Sequence, residues 1–308
     1  MRIIFMGTPD FAVPCLQALI DSGHEIAAVF TQPDKPKGRG YQMAPPPVKE
    51  LALSYQIPVF QPQKLRNNEE AMQVLLQCKA DLLVTAAYGK ILPKEMLDLP
   101  KYGCINVHAS LLPKYRGAGP IQWAIINGET ETGVTTMYMA EGIDTGDMLE
   151  KDSITIGENE TADELHDRLA ELGAKVLLRT LEKMEAGTLS PQPQDDSQST
   201  HAPMLDKEMA LLDFTKPAQQ IHNLIRGLSS WPCAYTYYHG KRLKIYRSRL
   251  SKNNLHGVPG TLLDSNTFTV ACGDGAVELE QVQYEGGRKM SGQEFLRGRK
   301  PNDSEVLG

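Results

Sequence analysis

The chain has 308 residues, 41% of them hydrophobic and 23% charged. That balance excludes a disordered or fibrous chain, the length suggests about two domains of roughly 100–200 residues each, and no apolar run reaches the roughly 18 residues needed to cross a bilayer. The net charge of −6 divides unevenly: residues 1–207 carry 19 Lys+Arg against 28 Asp+Glu, whereas residues 208–308 carry 13 against 10, a weak hint that a polyanion meets the second part.

Residues 2–6 (R-I-I-F-M) read as a buried strand ending at Gly7-Thr8-Pro9-Asp10. With a strand so close to residue 1, no signal or transit segment is expected, and the expected compartment is the cytoplasm. Cys15, Cys78, Cys104, Cys233 and Cys272 are odd in number, scattered, and without C-x-x-C spacing. Neither a disulfide framework nor a zinc site is expected. A helix follows, with Leu16, Leu19 and Ile20 on one face and Gly23 as its stop. Further strands are predicted at Ile26–Phe30, Val59–Phe60, 82–87 and 104–108, with helices near 47–55 and 67–77 between them. Strands alternating with helices imply βαβ units and a mostly parallel, Rossmann-like sheet. The nucleotide fingerprint G-x-G-x-x-G is absent, because the first turn runs G-T-P-D-F-A and Pro9 has no backbone N–H for a pyrophosphate.

Residues 32–47 (Q-P-D-K-P-K-G-R-G-Y-Q-M-A-P-P-P) break the pattern. Their Pro and Gly content predicts neither a ladder nor a helix interior, and a loop of this length is usually functional or disordered. The clearest helix spans 161–187, opened by a Thr161/Glu164 capping box and closed by Gly187. The polar, aperiodic stretch 190–200 reads as a linker. A short helix near 217–228 precedes strands at Tyr235–Tyr238, Leu243–Leu250, Thr261–Leu263, Phe268–Cys272 and Ala276–Val282, a pattern suggesting a small antiparallel barrel. The expected domains are 1–189, a linker at 190–207, and 208–308.

The segment richest in chemical groups is 104–120, C-I-N-V-H-A-S-L-L-P-K-Y-R-G-A-G-P. The two-residue period puts Asn106 and His108 on one side of a strand, at the carboxyl end where open α/β sheets hold ligands. Spacing alone leaves a plain polar edge strand equally open. Ser110-Leu111-Leu112-Pro113, taken alone, reads as a packing corner. The loop E-G-I-D-T-G-D lacks the spacing of a calcium loop, and a carboxylate there that orients or charges His108 is the more economical functional reading. His24 reads as a local turn residue. His166, His201, His222, His239 and His256 read as surface or turn histidines.

Asn106 and His108, the S-L-L-P corner and Asp144 together resemble the folate-dependent formyltransferases. The opening R-I-I-F-M-G-T-P-D-F-A, the loop F-T-Q-P-D-K-P-K-G-R-G and G-I-D-T-G-D-M-L narrow the resemblance to the methionyl-tRNA formyltransferase family, over nearly the whole chain including Trp231-Pro232. The resemblance implies a Rossmann-like formyltransferase domain without nucleotide, followed by an OB-fold-like barrel. It implies transfer of a formyl group from 10-formyltetrahydrofolate, a co-substrate, to the methionine amino group of initiator methionyl-tRNA. Asn106, His108 and Asp144 become the expected catalytic residues, and Ser110, Leu111, Leu112 and Pro113 the expected folate contacts. Lys35, Lys37 and Arg39 become the expected tRNA contacts, with no metal, no membrane and a monomer expected. The rivals are a formyltransferase acting on a small amine, a non-catalytic RNA-binding protein and an NAD-type dehydrogenase. The first is disfavoured by the barrel and basic loop, the second by N-x-H with Asp144, and the third by the missing fingerprint.

Overall fold

The computed structural model describes every residue except 38–41, 254, 265, 300 and 302–304. The chain folds into two compact units built from interleaved stretches. The first comprises 1–117, 133–154 and 166–201, and the second 118–132, 155–165 and 202–308.

In chain order the strands through the first unit are β1 (Arg2–Gly7), β2 (Glu25–Phe30), β3 (Lys35–Lys37), β4 (Gln42–Ala44), β5 (Val59–Phe60), β6 (Leu82–Ala86), β7 (Cys104–His108), β8 (Arg116–Gly117), β9 (Glu131–Tyr138), β10 (Met148–Thr155) and β11 (His201–Ala202). Seven of them form a sheet in the order β10-β9-β7-β6-β1-β2-β5. From β5 to β7 the neighbours are parallel, and β9 then runs antiparallel to β7. This is the mostly parallel architecture expected from the alternation of strands and helices. Ile4, Met6, Ala28, Phe30, Leu83 and Cys104 pack one face of the sheet against Ala71, Leu75 and Met96. Each large apolar side chain buried there stabilises the fold by about 1.5–3 kcal/mol. Gly7 ends β1 where a Cβ would stand 2.7 Å from Ala12 Cβ and 3.0 Å from the Ala86 carbonyl. The glycine of this turn serves close packing, in place of a phosphate loop.

Helices α1 (Val13–Asp21), α2 (Pro47–Ser54), α3 (Glu69–Cys78), α4 (Lys94–Leu97), α5 (Pro120–Ile126), α6 (Ala162–Glu185), α7 (Ala218–Gly227) and α8 (Gly292–Arg299) complete the element list. The capping box forms: Thr161 N–H donates to Glu164 Oε2 at 2.9 Å, and Glu164 N–H donates to Thr161 Oγ1 at 3.4 Å. Arg247 also binds Glu164. Its hydrogen bond, with the Thr161 bonds, holds the Glu164 carboxyl at about 2, below the usual range.

The second unit carries β12 (Tyr235–Tyr238), β13 (Lys241–Leu250), β14 (Leu262–Asp264), β15 (Thr269–Ala271), β16 (Ala276–Tyr284) and β17 (Lys289–Ser291). They pair antiparallel in the order β12-β13-β16-β15-β14, with β17 also on β16. The C-terminal residues bond to both ends of this path. Leu262 N–H donates to the Glu305 carbonyl at 2.8 Å, and Gly308 N–H donates to the Tyr237 carbonyl at 3.0 Å. Ile221 and Ile225 of α7 and Phe295 of α8 share the core with Leu243, Ile245, Val277 and Val282.

Three expectations need correction. Within 32–47, β3 and β4 do form a ladder, with Lys35, Pro36 and Lys37 opposite Ala44, Met43 and Gln42. Alternate antiparallel pairs exchange no hydrogen bonds, so a proline fits such a pair on a two-stranded edge. Residues 190–200 carry backbone bonds of their own: Gln192 exchanges two with Met148, at 2.8 and 2.9 Å. His222 is fully buried. Its Nε2–H donates to the Glu158 carbonyl at 3.1 Å, and Nδ1 lies 2.9 Å from Ser248 Oγ. It lies on the inward face of α7 with Ile221 and Ile225, where Ser248 and the Glu158 carbonyl from distant parts of the chain stand opposite its ring.

Burial, and secondarily the nearby Arg226 charge, lower the pKa of His222 against the contrary pull of the Glu158 carbonyl. A histidine with a depressed folded pKa binds fewer protons folded than unfolded. The second unit should therefore lose stability as pH falls below about 6.5, the unfolded value. Denaturant unfolding at pH 7, 6 and 5 should show that slope, and His222→Gln should reduce it relative to wild type.

Candidate active site

The carboxyl ends of β1, β6 and β7 lie side by side, because Gly7 pairs with Ala86 and Thr85 with Asn106. Residues 106 and 108 of β7 reach this edge together, as the strand period requires. Thr85, 2% exposed, donates from Oγ1 to Asn106 Oδ1 at 2.8 Å. That bond engages the oxygen end of the amide and leaves Nδ2 with no partner among the described residues. Asn106 is half-buried at the end of the strand.

His108 is 6% exposed. Its Nε2 lies 2.9 Å from the Tyr115 carbonyl, which can only accept, so Nε2 carries hydrogen. Its Nδ1 lies 3.5 Å from Asp144 Oδ2. Asp144 Oδ2 also accepts from Gly117 N–H at 2.8 Å. Both ring nitrogens thus face acceptors, one tightly and one at ion-pair range. The loops carrying these partners have left-handed backbone at non-glycine positions, φ +61° at Tyr115 and +53° at Asp144. Each such residue costs about 1–2 kcal/mol, and such strain persists where the surroundings over-determine it.

The S-L-L-P corner leaves β7 and is braced from inside. Ser110 Oγ donates to the Lys114 carbonyl at 2.7 Å, and Thr135 Oγ1 donates to the Ser110 carbonyl at 2.7 Å. Ser110 and Leu112 are 0% and 1% exposed, while Leu111 and Pro113 are half-buried. Ser110 and Leu112 therefore shape the corner, and Leu111 and Pro113 hold its more open surface.

Among the basic loop residues, Lys35 is exposed and donates from Nζ to Gln32 Oε1 at 2.9 Å. The backbone of Lys37 belongs to β3, and Arg39 lies outside the described residues. The base of the loop is tied by Asp34, which accepts from Lys49 Nζ at 2.8 Å and from Gln61 Nε2 at 2.7 Å. In the second unit, a cavity of about 380 Å³ is lined by Tyr284, Arg288, Phe295 and Arg299 among others, and by none of the β7 residues.

Sequence reasoning missed Thr85. The available signal was a hydroxyl interrupting the apolar run L-L-V-T-A-A just before the strand end. Its significance comes only from the register that sets it beside Asn106.

A parallel sheet without a nucleotide loop, bearing an amide, an imidazole and a carboxylate at its carboxyl edge and followed by an antiparallel unit, defines a formyltransferase-type enzyme. The family model "Formyl transferase" matches residues 1–181, and "Formyl transferase, C-terminal domain" matches residues 204–300. The methionyl-tRNA formyltransferase of Acetivibrio thermocellus is 53% identical, with 100% of each chain covered. That of Alkaliphilus oremlandii is 52% identical, again with 100% of each covered. An N-formyltransferase from Helicobacter canadensis, solved with folinic acid and dTDP-3-aminofucose, has TM-score 0.69 at 21% identity, covering 92% of this chain and 99% of that one. This chain belongs to the formyl transferase family, in its methionyl-tRNA formyltransferase branch.

Thr85→Val keeps the side-chain shape and removes the hydroxyl that orients Asn106. Steady-state formyl transfer should show kcat lowered about tenfold, the effect of roughly one hydrogen bond, with the thermal midpoint nearly unchanged.

Proposed function

We propose that the chain transfers the formyl group of 10-formyltetrahydrofolate to the methionine amino group of initiator methionyl-tRNA, with Asn106, His108 and Asp144 as its catalytic residues. The observation that carries this reading is the convergence of these three side chains at the carboxyl end of β7, in a chain alike over its full length to methionyl-tRNA formyltransferases.

The reaction asks for the groups present. The neutral amine attacks the formyl carbon, and the carbonyl electron pair moves onto oxygen. Asn106 Nδ2, held outward by Thr85, donates to that growing oxyanion. Donors aimed at such charge are usually the largest catalytic contribution. His108 is hinged at Nε2 on the Tyr115 carbonyl. The Nδ1 side, loosely held at 3.5 Å by Asp144, is free to donate to the oxyanion when protonated. Asp144 sets the ring's orientation. The attacking nitrogen loses a proton, the bond from carbon to the folate nitrogen breaks, and that nitrogen takes up a proton. Leu111 and Pro113, with the sealed Ser110 and Leu112 behind them, supply an apolar corner suited to flat folate rings.

For the macromolecular substrate, Lys35 and Lys37 follow the carboxyl end of β2, the same sheet edge that carries His108, and Arg39, outside the described residues, is their neighbour in sequence. A guanidinium can engage a phosphate or stack on an unpaired base. In the second unit the hairpin cations divide into two sets. Arg247 is bound to Glu164, and Arg249 to Glu278 and Glu280, so these two are spent on internal carboxylates. Lys241, Arg242 and Lys244 remain, with Arg242 4.3 Å over the Tyr235 ring and Lys289 3.6 Å over Tyr246. Cations interleaved with tyrosines on strands suit a nucleic-acid backbone and its exposed bases.

Asn106→Ala and His108→Ala should each lower kcat about 10²–10³-fold, as loss of one oxyanion donor does, with folate affinity little changed. Transfer of radiolabelled formyl onto charged initiator tRNA, compared with a small amine acceptor, measures this. Near-wild-type turnover in either variant, or preference for the small amine, would overturn the proposal.

Arg39→Ala should cut transfer to tRNA while leaving folate binding intact, with partial rescue in Arg39→Lys. Lys241, Arg242 and Lys244 changed together to Ala should weaken tRNA binding and flatten its dependence on salt. Filter binding at several salt concentrations reads this, and an unchanged slope would remove these three residues from the interface.

A further inference from the structure

We infer that Gln194 is a positioning residue for formyl transfer, acting through Asp144. It sits in the polar stretch that composition alone reads as a linker. In 190–200, only Gln194 and Ser199 are half-buried; the other residues are exposed.

The Gln194 amide reaches two loops at once. Its Nε2 donates to the Asp144 carbonyl at 2.8 Å and to the Gly146 carbonyl at 2.7 Å. Its Oε1 accepts from Arg116 Nε at 2.9 Å. Both amide hydrogens are therefore used on the turn that carries Asp144, and the oxygen is used on the loop that carries Gly117. Those loops hold the partners of the catalytic pair. Gly117 N–H binds Asp144 Oδ2, and the Tyr115 carbonyl binds His108 Nε2.

The turn at Asp144 needs this support. Asp144 is left-handed, and Gly146 lies so close to the Tyr138 carbonyl that a Cβ there would stand 1.8 Å from its oxygen. A backbone held this way relaxes when its restraints go, and the carboxylate moves with it. The same stretch grips the other loop a second time. Thr200 Oγ1 accepts from Tyr115 N–H at 2.8 Å, and the Thr200 carbonyl accepts from Arg116 N–H at 2.9 Å. Arg116 in turn reaches Asp196 at 2.8 Å. Residues 194–200 thus form a strap across the two loops, and Gln194 is the one strap residue that bonds to both. A glutamine fits because one neutral amide can donate twice to carbonyls and accept once from a guanidinium. A glutamate would keep the bond to Arg116, lose both donors, and set a charge against two carbonyl oxygens.

This inference rests on Asp144 serving the reaction as proposed above, and the experiment separates the two. Full-length Gln194→Leu, Gln194→Glu, Asp144→Asn and the double variant Gln194→Leu/Asp144→Asn are assayed for formyl transfer to methionyl-tRNA, with kcat and both KM values. Gln194→Leu and Gln194→Glu should lower kcat at least tenfold with KM for the folate changed less than twofold. The double variant should be scarcely slower than Asp144→Asn, because the amide acts only through that carboxylate. Gln194→Glu should regain activity, relative to wild type, as pH is lowered and its carboxyl takes a proton that can again be donated. Gln194→Leu should show no such gain. A loss in Gln194→Leu that multiplies fully with that of Asp144→Asn would overturn the inference, as would kcat within twofold of wild type in both Gln194 variants. Full activity in Asp144→Asn would instead overturn the catalytic reading itself. Should Gln194→Leu fail to fold by circular dichroism, Gln194→Glu and its pH response decide the matter alone.

Discussion

The contact between His108 and Asp144 organises the structure around it. Neither residue holds the other by itself, since 3.5 Å is ion-pair range and the two arrive on different elements, His108 at the end of β7 and Asp144 on a loop. The geometry is kept by what stands behind each. Tyr115 and Gly117 supply a backbone acceptor and a backbone donor, so the short β8 segment is a template against which ring and carboxylate are both set. Two left-handed residues, Tyr115 and Asp144, show that the backbone was bent to reach this arrangement at some cost. The parallel sheet supplies the rigid edge from which His108 projects.

A second constraint shapes Asn106. An amide at an open strand end can present either its oxygen or its nitrogen. Thr85, on the neighbouring strand, takes the oxygen and thereby selects the donor end for whatever lies outside. The selection is a consequence of register. A slip of one residue between β6 and β7 would put an apolar side chain beside the amide and turn His108 to the other face.

The two units divide the polar work differently. The first spends buried hydrogen bonds on holding loops at a strand edge. The second spends them on its own framework: His222 and Ser248 pair in the interior, and Arg226, 5% exposed, donates to Asn223 and to the carbonyls of Gly157 and Glu160. Two of its surface cations are likewise committed, Arg247 and Arg249, both to carboxylates. A surplus of positive charge in composition is therefore a poor measure of how many cations are available to a partner.

The alternation of strands and helices, the antiparallel second part and the capping box at Thr161 were legible in the sequence, because each follows from local periodicity and local hydrogen bonding. Asn106 and His108 could be placed on one side of a strand for the same reason. Asp144 was singled out by its turn-rich setting and by resemblance. Local pattern could not show that Thr85 faces Asn106, that Pro36 sits in a hairpin, or that His222 is buried. Nor could it show that residues 194–200 bind two loops instead of merely linking. Each of these depends on which distant residue stands opposite, and that is set by strand register and by the packing of loops, not by neighbours along the chain. Composition marks residues 190–200 as polar and aperiodic, which is true of a free linker and of a strap alike. Only the folded chain, by bringing the carbonyls of Asp144 and Gly146 to one amide, distinguishes them.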